Sequence, residues 1–236
     1  MAKLDLKLED RVAVVTMNEE DNKLNLDMCN SFLAMLDKVE KETEALTLVV
    51  RSGHTHIWSN GFDLDWISAR LTTGDKEVVN EFLSRDIGLR RRLLTYPLIT
   101  IAAINGHVFG GGAVLSCCFD FRFMRSDRGF FCIPVIDRGY PIVPGTSALL
   151  KSVLPMYIVE ELILTGSRLT GAECAANHLI VATYNNDSLM DEVMAFAKGL
   201  NKGRWIVGEM KKVLNGHIVK LMEEDMGYIN QGHVVV

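Results

Sequence analysis

The chain has 236 residues, of which 48% are hydrophobic and 23% charged, and a formal net charge of −5. That length supports one sizeable buried core, and the negative balance excludes a general attraction to nucleic acid. No apolar run reaches the ~18 residues of a membrane span, so neither a membrane nor a nucleic acid is an expected partner.

In chain order, residues 4–8 alternate with period two, Glu9-Asp10 turns, and residues 12–17 return, which predicts a hairpin. Residues 27–41 carry Met28, Phe32, Met35, Leu36 and Val39 at helical spacing. Residues 46–50 read as a short buried strand, followed by a polar loop over 54–60. A second helix is expected over 77–94, stopped before Pro97. Its Arg85, Arg90, Arg91 and Arg92 read as a solvated face. A strand over 99–104, a glycine turn, a helix near 113–118 and a strand over 119–124 follow.

Beyond Pro144 the pattern becomes mainly helical. Thr170-Gly171-Ala172-Glu173 has capping-box form, residues 179–182 suggest a short strand, and 188–200 and 217–226 suggest amphipathic helices. The reading is an α/β core over 1–168 with a helical C-terminal part over 169–236. The N-terminus lacks a signal-peptide apolar stretch and the C-terminus lacks a Ser-Lys-Leu address, so a cytoplasmic location is expected. The five cysteines, at 29, 117, 118, 132 and 174, form no Cys-x-x-Cys pair, and Cys117-Cys118 reads as packed apolar sulfur. His54-x-His56 has no third ligand spaced nearby, so no metal is expected.

Two segments carry the chemistry: Trp58-Ser59-Asn60-Gly61-Phe62-Asp63-Leu64, and Asn105-Gly106 followed by Gly110-Gly111-Gly112. Glycine-rich turns expose backbone N–H groups that no side chain shields. Two such turns can aim two donors at one carbonyl oxygen, the form of an oxyanion hole. The segments fit neither a Gly-x-Ser-x-Gly elbow, a dinucleotide fingerprint, nor a P-loop.

These segments resemble the enoyl-CoA hydratase/isomerase (crotonase) family, as do Asn22-Lys23-Leu24-Asn25, Ile101 to Gly106, Asp120 and the run from Thr165 to Ile180. The five elements stand in the family's order across residues 5–200, in the style of its short enoyl-CoA delta-isomerase members. The resemblance implies a crotonase-like ββα superhelix core and an acyl-CoA thioester substrate. It assigns the oxyanion donors to the N–H groups of Phe62 and Gly111. It places the substrate against Lys23, Leu24, Phe62, Asp63, Leu64 and Gly111. It also implies a homotrimer or dimer of trimers, with no cofactor beyond the coenzyme A of the substrate.

The family's hydratases use two glutamates, and the corresponding positions here are Val114 and Val135. Valine neither holds a water nor moves its proton, so hydration is disfavoured. In another register the acid falls at Asp137, which could take a proton from the α-carbon of a 3-enoyl-CoA and return it at the γ-carbon. An exposed aspartate, with an ordinary pKa of ~3.9, is a poor base, so this role requires burial; the alternative is a surface turn. Tyr140 is a second polar candidate for substrate contact, and Glu160 and Glu161 read as solvated. The function read from the chain is double-bond migration in fatty-acid metabolism. A decarboxylase-type enzyme and a non-catalytic acyl-CoA-binding protein remain the alternatives.

Overall fold

The computed structural model describes residues 3–230. The terminal residues behind the leader and peroxisomal-address expectations, and the last six of the C-terminal part, lie outside this range. In order, the elements are β1 (Leu4–Glu9), β2 (Val12–Met17), α1 (Leu26–Glu42), β3 (Thr47–Ser52), β4 (Ile57–Ser59), α2 (Leu64–Thr72), α3 (Lys76–Leu94), β5 (Ile99–Ile104) and β6 (His107–Phe109). There follow α4 (Gly110–Cys117), β7 (Phe121–Arg125), β8 (Phe131–Cys132), α5 (Pro144–Val153), α6 (Met156–Thr165), β9 (Arg168–Leu169), α7 (Gly171–Ala176), β10 (Ala182–Tyr184), α8 (Asn186–Gly199) and α9 (Arg204–Tyr228).

A six-stranded sheet has the order β1-β2-β3-β5-β7-β10, parallel except for the β1–β2 hairpin. Its central strands β2, β3 and β5 are buried on both faces, which explains their nearly continuous apolar sequences. Ala13, Val15, Leu48, Val50, Ala102 and Ile104 face the main core with Phe32, Leu36, Phe82 and Leu89 of α1 and α3. The alternate residues Val12, Val14, Val49, Ile101 and Ala103 pack against Leu189, Val193 and Ala197 of α8. A smaller sheet, β4-β6-β8-β9, lies beside it. In this smaller sheet β4 and β6 pair in parallel and are followed by α2 and α4, so the strand ends that carry the glycine segments lie together.

The expected boundary at 168/169 does not coincide with a change of layer. It cuts through β9, and β10 still pairs with β7 in the main sheet. Beyond Tyr184 the described elements are the helices α8 and α9. The last helix also begins well before the expected 217, at Arg204. It straps the molecule from outside: Arg204 donates to the carbonyls of Glu40 and Thr43 at the end of α1, groups that helix termini leave without intrahelical partners, and to Ala45 O just beyond it. Lys211 pairs with Asp120 at 2.8 Å, Asn215 donates to Leu94 O, and Asp225 accepts from the Gly145 N–H at 2.9 Å.

Candidate active site

The glycine segments meet where α2 and α4 begin. Gly61 has φ +80°, and a Cβ there would lie 2.6 Å from Phe109 O and 3.0 Å from Gly111 N. Only glycine permits both that conformation and that approach. The contact brings the N–H of the next residue, Phe62, beside that of Gly111. Leu24 and Phe62 form a parallel bridge in which Leu24 bonds the flanking groups, Gly61 O and the Asp63 N–H. The Phe62 N–H is thereby turned to the other side. Gly111 is the second residue of α4, whose first N–H groups have no intrahelical acceptor and carry the positive end of the helix dipole. A Cβ on Gly111 would fall 2.6 Å from Phe62 Cδ1, so the Phe62 ring closes directly over this glycine.

The Asn22-to-Asn25 loop is fastened to the first segment by side chains. Buried Asn22 donates to Ser52 Oγ and Trp58 O, and Ser59 Oγ donates to Asn22 O. Asn25 caps α1 through the Met28 N–H and donates to Asp63 Oδ2, while Asp63 caps α2 through the Trp66 N–H. Leu24 is fully buried, and Leu64, at the start of α2, packs on the core. Lys23 sits 3.6 Å from Asp65 and, with Asp63, lines a cleft of about 280 Å³. Glu19, Glu20 and Asp27 line the same cleft, so Lys23 faces a predominantly acidic rim.

The enoyl-CoA hydratase/isomerase family model matches residues 7–232. The chain belongs to that family. Among curated relatives, enoyl-CoA delta isomerase 3 of Arabidopsis thaliana is 24% identical over 92% of this chain and 93% of its own. Carnitinyl-CoA dehydratase of Salmonella enteritidis PT4 is 25% identical over 91% of this chain and 79% of its own. Of solved structures, an enoyl-CoA hydratase/isomerase family protein from Pseudomonas syringae superposes with TM-score 0.88 at 20% identity, covering 98% of both chains. Enoyl-CoA hydratase EchA3 from Mycobacterium ulcerans Agy99 gives 0.86 at 19% identity, covering 97% of this chain and 98% of the other. The α/β core is therefore the crotonase fold.

Val114 and Val135, the two valines that one register sets at the hydratase acids, lie in apolar surroundings: Val114 is 4% exposed, and Val135 packs against the main core. Asp137 stands on a short 3-10 turn, Ile136–Arg138, and is exposed; a Cβ on Gly166 would lie 2.6 Å from its Oδ2. It lacks the burial that the sequence argument demanded of a base. Half-buried Tyr140 closes the same turn, donating its N–H to Val135 O. His54, His56, Glu160 and Glu161 are exposed as expected, and among the described residues no cluster could hold a metal ion. All five cysteines are buried. Burial pushes the Cys117 thiol up to about 11 and Cys174 up to about 12, so they behave as packing groups.

One sequence reading is corrected. Arg90 does not belong to a solvated face: it is 6% exposed, and it pairs with Asp86, which is 2% exposed, at 2.6 Å. Arg90 Nη1 also donates to Thr146 Oγ1 of α5 at 3.3 Å, and its guanidinium lies 5.8 Å from the Phe62 ring centroid. Asp225 of α9, 1% exposed, adds a further carboxylate to the surroundings of Arg90. This polar cluster beside the glycine segments was missed. Its signal was a pair of charged residues, Asp86 and Arg90, in line with apolar Phe82 on one helical stripe.

Proposed function

We propose that the protein moves a double bond in an acyl-CoA thioester, converting a 3-enoyl to a 2-enoyl ester through an enolate in fatty-acid metabolism. The observation that carries this reading is the seating of Gly61 on Gly111, which sets the Phe62 and Gly111 N–H groups side by side. Donors fixed where negative charge develops are among the largest contributors to catalysis, each worth about 2.7–4 kcal/mol. The valines at 114 and 135 favour isomerisation over hydration, because no water need be held or split. Delta isomerases among the relatives support the same choice, although a dehydratase stands beside them at similar identity. Coenzyme A enters only as part of the substrate.

Incubation with 3-enoyl-, 2-enoyl- and malonyl-type CoA esters tests the reading. Isomerisation of the first without hydration of the second is the expected result. Decarboxylation of the third, or tight ester binding without any turnover, would replace it by one of the two alternatives. Asp137→Ala and Tyr140→Phe, assayed alongside, test those two residues as base and substrate contact. A cytoplasmic homotrimer or dimer of trimers completes the proposal. The exposed Trp205, Val213 and Leu214 of α9 supply apolar surface for such an assembly, and sedimentation of the purified protein measures it.

A further inference from the structure

Val114 and Val135 supply no acid and Asp137 is exposed, yet one carboxylate, Asp86, is buried beside the glycine segments with an unused oxygen. Phe82, Asp86 and Arg90 follow one another at i, i+4 and i+8, a single stripe of α3. The Phe62 ring touches both ends of that stripe. It packs edge to face on Phe82 at 5.1 Å and lies beneath the Arg90 guanidinium. Asp86, midway between them, therefore faces the residue whose N–H forms half of the hole.

Arg90 Nη2 holds Asp86 Oδ2, but Asp86 Oδ1 and Arg90 Nε have no hydrogen-bond partner. Buried polar atoms are nearly always satisfied, and the exceptions call for a ligand, a water or a catalytic role. The groups around the pair come from four elements: Cys29 of α1, Cys118 at the end of α4, Thr146 of α5 and Asp225 of α9. None of them occupies Oδ1.

We propose that Asp86 is the proton-transfer group of this site, serving in place of the acids absent at Val114 and Val135. The inference deepens the isomerase reading and rests on it. Asp86 Oδ1 takes a proton from the α-carbon of the 3-enoyl-CoA. The C–H electron pair becomes the C1–C2 π bond, and the carbonyl pair moves onto the thioester oxygen between the Phe62 and Gly111 N–H groups. As the carbonyl re-forms, the C1–C2 pair moves to C2–C3, and the former C3–C4 pair takes the same proton from Asp86 at the γ-carbon. Asp86 ends ionised as it began, and no oxidant or reductant is consumed. Burial raises the Asp86 pKa against the opposing pull of Arg90, which makes the carboxylate a stronger base than one in water. Arg90 acts as a positioning residue, fixing one oxygen so that the other is free.

The test measures exchange of the α-protons of a saturated acyl-CoA with solvent deuterium by NMR, together with isomerisation of a 3-enoyl-CoA. Asp86→Asn is expected to slow both by about 100-fold or more while acyl-CoA affinity is retained, and Asp86→Glu to restore part of the rate. Asp137→Asn is expected to leave exchange unchanged. The pair Asp86→Asn/Arg90→Met removes both partners of the ion pair together; it is expected to fold, bind the ester and remain inactive. Exchange at the wild-type rate in Asp86→Asn, or its loss in Asp137→Asn, would overturn the proposal alone. A wild-type protein that binds the ester but exchanges no α-proton overturns the enolate reading as well.

Discussion

The two walls of the site are built on different principles. The glycine wall, from Gly61 and Gly111, presents backbone N–H groups whose direction depends only on chain conformation. The opposite wall, from α3, presents side chains whose partners come from α5 and α9. Function made from backbone tolerates change at neighbouring side chains and fails when the fold of one turn fails. Function made from side chains depends on pairings between residues far apart in the chain, here Arg90 with Thr146 and Gly145 with Asp225.

The sharpest way to break this contrast is Gly61→Ala. A Cβ at φ +80°, 2.6 Å from Phe109 O, has to displace the turn. Losing one donor is expected to lower kcat for isomerisation by about 10²–10³-fold. Phe62→Leu keeps the N–H and removes only the ring, so its kcat should stay far closer to wild type. Equal losses in the two variants would show that the ring, and not the backbone, does the work.

A smaller effect is expected at Asp225. Burial pushes its pKa up, with the Gly145 N–H and Arg90 pulling the other way. Because the folded pKa exceeds the unfolded value, this stabilising contribution is complete below the ordinary carboxylate pKa and is lost as pH rises through the folded one. Asp225→Asn does not titrate, so the stability of wild type relative to the variant should fall as pH rises above the ordinary carboxylate pKa of about 4, read in urea denaturation. A difference independent of pH would remove Asp225 from the electrostatics of the α3 wall. The smallest change is Thr170→Ala, which deletes a capping box remote from both walls. It should cost about 1 kcal/mol of stability and leave turnover intact.

Much of the frame was readable where the period was long enough to show. The hairpin over residues 4–17, the strand Ile99–Ile104 and the amphipathic helix around Phe32 and Leu36 all lie where alternation or helical spacing placed them. The second sheet was not readable, because β4, β6, β8 and β9 have two or three residues each, too few for any period to register. The first half of α9 was missed for a different reason. Its Trp205, Val213 and Leu214 point outward and Gly208 and Gly216 interrupt it, so its apolar residues do not trace an inward stripe. The glycine segments announced themselves through composition and order. The buried pair on α3 did not, since Arg90 beside Arg91 and Arg92 resembles any charged helical surface until tertiary packing separates it from them. Arg91 reaches Glu223, and Arg92 reaches Asp37 and Glu40, at half-exposed positions.

The anchoring of α9 also bears on how copies of the chain would work together. Arg204, Lys211, Asn215 and Asp225 fasten this helix at four levels to α1, the main sheet, α3 and α5 of the same chain. These four attachments hold α9 on its own chain along its whole length. If copies of the chain assemble and each site is complete within one chain, activity in assemblies mixed from intact and disabled chains should follow the fraction of intact chains in direct proportion.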